Sequence, residues 1–308
     1  MRNQTILKEF FLSGLSDLPT LQVPLFIFFF LIYLLTLIWN LLIISLIVTD
    51  SHLLTPMYFF LGNLASLDLC CSSVTVPRML FDLLTQRRKI TATACITQVF
   101  FFLFLATSEN FLLSVMSYDR YTAICRPLHY MQIMSWKVCV LLASSAWCLG
   151  FTNSLLHTFY ALRLSYCGSQ IIESFFCDLP QLLQIACSDI YINILLVFIL
   201  GAVFASGPIM MTILSYVSIF KTVLKIKGKR SKVFSTCTSH LTVVSIFYGS
   251  IFLNYFQPSA SHHLTGYKVV PIFYTAIIPL LNPLVYSLRN QDLRIAFQNC
   301  VKKIFDAR

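Results

Sequence analysis

Residues 23–48 read VPLFIFFFLIYLLTLIWNLLIISLIV, twenty-six positions without a charged side chain. As a helix rising 1.5 Å per residue the stretch is about 39 Å long, enough to cross the roughly 30 Å hydrocarbon core of a bilayer. A helix that is apolar all round belongs in a membrane or at the centre of a large core. The 308-residue chain is 57% hydrophobic and only 11% charged, so it has no polar shell to place around such a core; soluble domains carry about 25% charged residues. Its mean hydropathy of +0.78 agrees.

Working outward from this stretch, six further runs have few or no charges: 57–77, 95–118, 138–162, 190–220, 233–258 and 269–288. Each is about as long as a helix that crosses a bilayer. Pro208, Pro279 and Pro283 fall inside runs, which membrane helices tolerate as kinks. The runs lack the polar–apolar alternation of barrel strands. The expected fold is an all-α membrane protein: one domain over residues 1–308, a seven-helix bundle with a short amphipathic inner helix after the seventh span. No stretch is long and polar enough for a soluble catalytic domain.

Residues 1–20 lack the short apolar core and small-residue cleavage site of a signal peptide, so the first span is expected to act as its own insertion signal. With the N-terminus outside, fourteen of the 22 Lys and Arg fall on inner segments, with four acids: Asp50, Asp119, Asp292 and Asp306. The inner face then carries +10, the net charge of the whole chain. The N-terminus is expected outside and the C-terminus inside, at the plasma membrane, although Arg87, Arg88 and Lys89 run against the positive-inside rule. Charge lying at membrane edges faces lipid headgroups, and nucleic acid is not an expected partner.

Asn3-Gln4-Thr5 is the one Asn-x-Ser/Thr sequon, and its outer position makes Asn3 a candidate glycosylation site. Of eleven cysteines, Cys95, Cys167, Cys177 and Cys187 fall at the outer boundary, where disulfides form. Spacing leaves three connectivities open. The other seven read as small apolar packing residues. No Cys or His pair has metal-ligand spacing within one segment; His262 and His263 are adjacent in an outer loop.

Acids inside spans are costly and usually functional. Asp68 lies eleven residues from Met57 and Glu109 eleven from Arg120, which places both about 16 Å above the inner face. Asn40 lies at a similar depth and Asn282 somewhat lower, so these groups can form one interior cluster. The cluster is either a packing and hydrogen-bond network or a Na⁺ or proton site coupled to a conformational switch; no other cofactor is expected.

Specific strings then narrow the class. Met116-Ser117-Tyr118-Asp119-Arg120-Tyr121 closes the third span, followed by Ala123-Ile124-Cys125-Arg126-Pro127-Leu128, and Asn282-Pro283-Leu284-Val285-Tyr286 closes the seventh. Together they resemble the rhodopsin-like G-protein-coupled receptors. Thr55-Pro56-Met57-Tyr58-Phe59-Phe60-Leu61, Ser215-Tyr216 and Phe234-Ser235-Thr236-Cys237-Thr238-Ser239-His240 make the set similar to an odorant receptor over residues 40–290. Trp39 departs from that family, which usually has Gly before Asn40. The resemblance implies disulfides Cys95–Cys177 and Cys167–Cys187. It also implies coupling to a stimulatory heterotrimeric G protein that raises cyclic AMP.

The motifs also make physical sense. Arg120, at the inner end of a helix, is expected to be held by Asp119, since an unpaired guanidinium there is poorly solvated. Opening the bundle would free it toward a G protein, with Tyr121, Tyr216 and Tyr286 in the same inner layer. Pro283 beside Asn282 weakens the seventh helix locally. A ligand can act on such a two-state element by binding one state better.

Absences define the expected pocket. Residues 269–288 contain no lysine for a retinal link, and residues 95–108 no acid for an amine. The outer halves offer Phe102, Leu103, Ala106, Thr107, Phe204, Ile251, Phe252, Tyr255 and Thr275. The first four are expected on one helical face. Such a lining suits a small neutral volatile with one or two hydrogen-bonding groups, with Arg78 the charge nearest the rim. A transporter or proton pump using Asp68 and Glu109 is the competing class; transporters pair repeated halves, which seven spans cannot do equally. Agonist-evoked cyclic AMP against ligand-evoked ion flux separates the two. No nucleophile elbow, zinc motif or phosphate loop points to an enzyme.

Overall fold

The structure is a computed structural model that describes residues 9–167, 170–225, 230–255, 270–289 and 291–306. Its long helices are α1 (Pro19–Thr49), α2 (Pro56–Thr85), α3 (Ala92–Cys125), α4 (Trp136–Ala161), α5 (Tyr191–Lys225) and α6 (Arg230–Tyr255). A π-helical turn, Phe273–Ile277, leads into α7 (Ile278–Arg289), and α8 (Gln291–Asp306) follows. Among the described residues, α1 to α5 are long and apolar enough to cross a membrane, and the helical stretch Val270–Tyr286 is apolar but shorter.

The bundle is built inside out. On α1 the buried positions Phe29, Ile32, Thr36, Asn40, Ile43 and Ile47 recur at three- and four-residue spacing, one face of a helix. Ile27, Phe28, Leu31, Leu34, Ile38 and Leu41 are exposed, which suits lipid and not water. Helix α3 is central: 67% of its most apolar window is buried, against 28% for α1 and 6% for α5. Lipid supplies no hydrophobic drive between helices, so close packing and hydrogen bonds hold the bundle. Gly150 on α4 shows this, because a Cβ there would meet the Phe104 carbonyl oxygen of α3 at 2.6 Å.

The end carrying the disulfides is the outer end in the orientation that the charge count predicts. It holds a small sheet in the order β2-β1-β3, formed by Glu9–Leu12 (β1), Lys89–Thr91 (β2) and Ile171–Ile172 (β3). The strand β1 is antiparallel to β2, with Phe10 opposite Ile90, and parallel to β3, with Leu12 opposite Ile172. Phe10 and Leu12 point inward and are fully buried, while Glu9 and Phe11 point outward, the two-residue period of a strand. Arg88 pairs with Asp17 and donates to the carbonyls of Ser13 and Ser16; Lys89 pairs with Glu9. The basic cluster that runs against the positive-inside rule therefore holds the N-terminal segment in place.

Both expected disulfides are formed, Cys95–Cys177 tying α3 to the long outer loop and Cys167–Cys187 closing that loop on itself. At the other end α8 buries Leu293 and Ala296 and exposes Ile295 and Phe297, the amphipathic pattern expected after the seventh span. The Tyr58 hydroxyl anchors it by donating to Asp292 at 3.0 Å. Asn3, His262 and His263 lie outside the described residues.

Candidate functional site

The four α3 residues expected on one face divide into two pairs. The Phe102 ring lies 5.2 Å from Phe176 of the outer loop and 5.5 Å from Tyr274 of the π-helical turn, and Ala106 packs in the same core. Leu103 belongs to a separate outer core with Leu179 and Leu182. Thr107, one turn on, faces α4, where the Asn153 amide Nδ2 donates to its Oγ1 at 3.0 Å. Adjacent residues on a helix differ by about 100°, so neighbouring pairs reach different walls.

Elsewhere the expected lining needs correction. Phe204 packs edge-on against Phe111, and its carbonyl accepts from Asn110 at 2.8 Å. Thr275 is buried and donates within its own helix to the Pro271 carbonyl at 2.7 Å, so its hydroxyl hydrogen is already committed. Phe252 is 61% exposed. Helix α6 buries His240, Val243, Val244, Phe247 and Ser250, and Phe252 lies about 140° around from Phe247, away from the bundle. The side chains of Ile251 and Tyr255 lie outside the described residues. Arg78 forms an ion pair with Asp82 at 2.9 Å and donates to the carbonyls of Arg87 and Lys89, so it is not held ready for an anionic ligand.

Midway down the bundle the two acids meet. Asn282 Nδ2 lies 2.9 Å from Asp68 Oδ1 and 3.2 Å from Glu109 Oε1. Asp68 and Glu109 are fully buried. Asn40 lies beside this centre and not in it, since its amide donates to the Thr36 and Pro279 carbonyls, each at 2.9 Å. This fixes α1 against α7 at the Pro279 carbonyl, which Pro283, four residues on, has no N–H to satisfy. Asn282 Oδ1 is buried without a hydrogen-bond partner. Two carboxylates and an amide oxygen are hard oxygen donors of the kind alkali and alkaline-earth cations prefer. No group of three or more His, Cys, Asp or Glu side chains among the described residues is arranged for a metal ion.

At the inner end the expected Asp119–Arg120 pair is not formed among the described residues. Asp119 Oδ1 accepts from the Tyr130 hydroxyl at 2.8 Å, and Arg120 Nη2 lies against Met57 Sδ. The short helix Tyr130–Ile133 lies beneath α3 and brings its hydroxyl to the carboxylate in place of the guanidinium. Burial, with the Asp119 charge beside it, pushes the Tyr130 phenol well above its ordinary value, so it remains a donor. Tyr216 and Tyr286 do share a layer, brought together by His240. The Tyr216 hydroxyl bonds His240 Nδ1, and the Tyr286 ring lies 6.0 Å from the imidazole. Tyr121 packs against Tyr216, Ile219 and Val223. Pro283 is buried beside Asn282.

Sequence reasoning therefore missed Tyr130, His240 and Asn153. His240 and Asn153 had a signal, each being a polar side chain in a nearly uncharged run. Tyr130 had none, because its role depends on how an inner loop folds.

A bundle of this topology, with a disulfide from its third helix to a long outer loop and a polar centre above an Asp-Arg end, has the architecture of a rhodopsin-like receptor. Squid rhodopsin superposes with a TM-score of 0.69 at 17% identity, covering 94% of this chain and 87% of that one. The sequence profile described as olfactory receptor matches residues 29–307. Olfactory receptor 5B12 of Homo sapiens is 47% identical over 98% of this chain and 97% of its own length. Olfactory receptor-like protein I9 of Rattus norvegicus is 46% identical over 98% of each. The chain belongs to the olfactory receptor family, multi-pass receptors of the plasma membrane that detect odorants through G proteins and are not enzymes.

Proposed function

We propose that this receptor binds a small neutral volatile in the outer half of its bundle and, when occupied, activates a stimulatory heterotrimeric G protein to raise cyclic AMP. The supporting observation is the uncharged aromatic layer of Phe102, Phe176 and Tyr274 beneath the outer loop, with Arg78 already committed to Asp82 and two carbonyls. A carboxylate ligand would leave water there without a counter-charge, a penalty of several kcal/mol, and the buried acid at the edge of the layer, Asp178, already accepts from the Tyr274 hydroxyl at 3.4 Å and the Leu179 N–H at 2.8 Å. A neutral molecule loses far less and can keep a hydrogen bond worth about 1 kcal/mol. The centre of Asp68, Glu109 and Asn282 would hold Na⁺ or a single shared proton, balancing buried like charges. Asn3 is the proposed glycosylation site.

The test is expression with an olfactory-type stimulatory G protein and a panel of neutral volatiles, acids and amines. Neutral agonists should raise cyclic AMP, and Arg120→Ala should abolish the response with surface delivery retained. Acids or amines as the strongest agonists, or ion flux without cyclic AMP, would overturn the reading.

A further inference from the structure

We infer that Thr107 and Asn153 form a hydroxyl-recognising subsite between α3 and α4, and that the ligand class it selects is an alcohol. This rests on reading the chain as a receptor for small neutral volatiles, and it names which of them.

The argument starts from Asn153. Its side chain is 6% exposed and lies on the α4 face that packs on α3, with Ala146, Gly150, Ser154 and His157. Its Nδ2 donates to Thr107 Oγ1 at 3.0 Å, and its Oδ1 is buried with no hydrogen-bond partner. An amide oxygen hidden from water and left without a donor is costly, and a structure that keeps one usually has a use for it.

Thr107 supplies the complementary half. Helical threonines such as Thr36, Thr85, Thr122 and Thr275 donate their hydroxyl hydrogen to a carbonyl three or four residues back. Thr107 makes no such bond among the described residues. Its oxygen already accepts from Asn153, so its hydrogen is left to point elsewhere. Thr107 is only partly buried, so it lies at the margin of the α3–α4 contact and is not sealed within it. One turn outward on the same face of α4, His157 is 6% exposed and has no hydrogen-bond partner among the described residues.

The subsite thus offers the Thr107 O–H as a donor beside Asn153 Oδ1 as an acceptor. Turning the amide over exchanges the roles and leaves one of each. A group that both donates and accepts at a single atom satisfies both halves, and that group is a hydroxyl. An ether, ketone or ester accepts only, leaving the buried acceptor unpaired. A site built around hydrogen bonds discriminates strongly against the analogue that lacks one.

The experiment uses the full-length receptor in cells, with surface display measured on an N-terminal tag and cyclic AMP as readout. The probes are n-octanol, octanal and methyl heptyl ether, of like length. Octanol should be the strongest by about tenfold or more in half-maximal concentration, the equivalent of about 1.4 kcal/mol. Asn153→Leu should erase this advantage by weakening octanol alone. Thr107→Val should weaken all three, and Thr107→Ser, which keeps the hydroxyl, should preserve the order. Octanal or the ether matching octanol, or an octanol preference that survives Asn153→Leu, would overturn the subsite and leave the receptor reading intact. A receptor on the surface that answers none of the three but answers other neutral volatiles would also overturn it. Silence to every neutral volatile would overturn both.

Discussion

The Asp119 carboxylate accepts a hydrogen bond from the Tyr130 hydroxyl at 2.8 Å, so the acid beside Arg120 is restrained by an inner loop and not by the arginine. Removing the hydroxyl in Tyr130→Phe leaves a buried carboxylate without its donor, next in sequence to a guanidinium. The carboxylate should turn to Arg120 and hold it, lowering agonist-evoked cyclic AMP several-fold at equal surface display. Adding Asp119→Asn removes the charge that holds Arg120 and should restore most of the response. A Tyr130→Phe receptor with an unaltered dose–response curve would reduce this bond to a packing detail.

The N-terminal strand should matter for delivery to the surface. Phe10 is fully buried, edge-on to Tyr166 at 5.4 Å, and truncating a buried Phe to Ala typically costs about 3–5 kcal/mol. Phe10→Ala should therefore reduce cell-surface antibody staining strongly. Gly14→Ala should do so more mildly. Gly14 has φ +68°, and a Cβ there would meet Arg88 Nε at 3.0 Å, straining the link between strand and loop; the left-handed conformation alone costs roughly 1–2 kcal/mol. Normal staining of Phe10→Ala would show that the sheet contributes little to folding.

Asp68 and Glu109 should behave as one unit, because a single amide nitrogen reaches both. Asp68→Asn and Glu109→Gln each remove one buried charge. Both should change the Na⁺ dependence and the basal level of signalling in the same direction, and the double variant should add little to either. Basal cyclic AMP measured with Na⁺ replaced by a large organic cation is the readout. Signalling indifferent to Na⁺ and pH in the native receptor and in both variants would leave a packing network.

The seven-helix plan was legible because it rests on runs of uncharged residues that nothing but lipid can cover, as in 23–48. The depth of Asp68 and Glu109 was legible for a similar reason, since counting along a helix needs no tertiary information. The strand Glu9–Leu12 was not, being four residues whose partners lie about 80 and 160 positions away. The partner of Asp119 and the split of Phe102 from Leu103 were hidden for a different reason. Both depend on which way a side chain leaves its helix, and spacing alone does not fix the rotation of a helix against its neighbours. A ring in the outer half of its span suits the cavity, but helical phase against His240, Val243 and Phe247 places Phe252 outward.

Gly150 joins packing to recognition and gives the sharpest expectation. It sits three residues before Asn153, where α4 lies close against α3. A Cβ added there would meet the Phe104 carbonyl oxygen at 2.6 Å and the Ser108 nitrogen at 2.9 Å, besides the Ser108 hydroxyl. The first two are backbone atoms of a central helix and cannot swing aside, so the helices must separate. Forcing extra volume into a packed core typically costs about 1–3 kcal/mol. The same separation pulls Asn153, one turn along α4, from Thr107, which neighbours Ser108 on α3, lengthening the 3.0 Å bond between them. Gly150→Ala should therefore lower both surface display and the response per displayed receptor, with the half-maximal concentration of the best agonist rising about tenfold. Gly249, where an added Cβ meets nothing within 4 Å, supplies the control. Gly249→Ala should leave display unchanged, since an exchange that meets no neighbour in a helix favours the folded chain slightly. Equal behaviour of the two alanine variants would mean that the α3–α4 contact has room to yield, and the pairing of Thr107 with Asn153 would lose its geometric support.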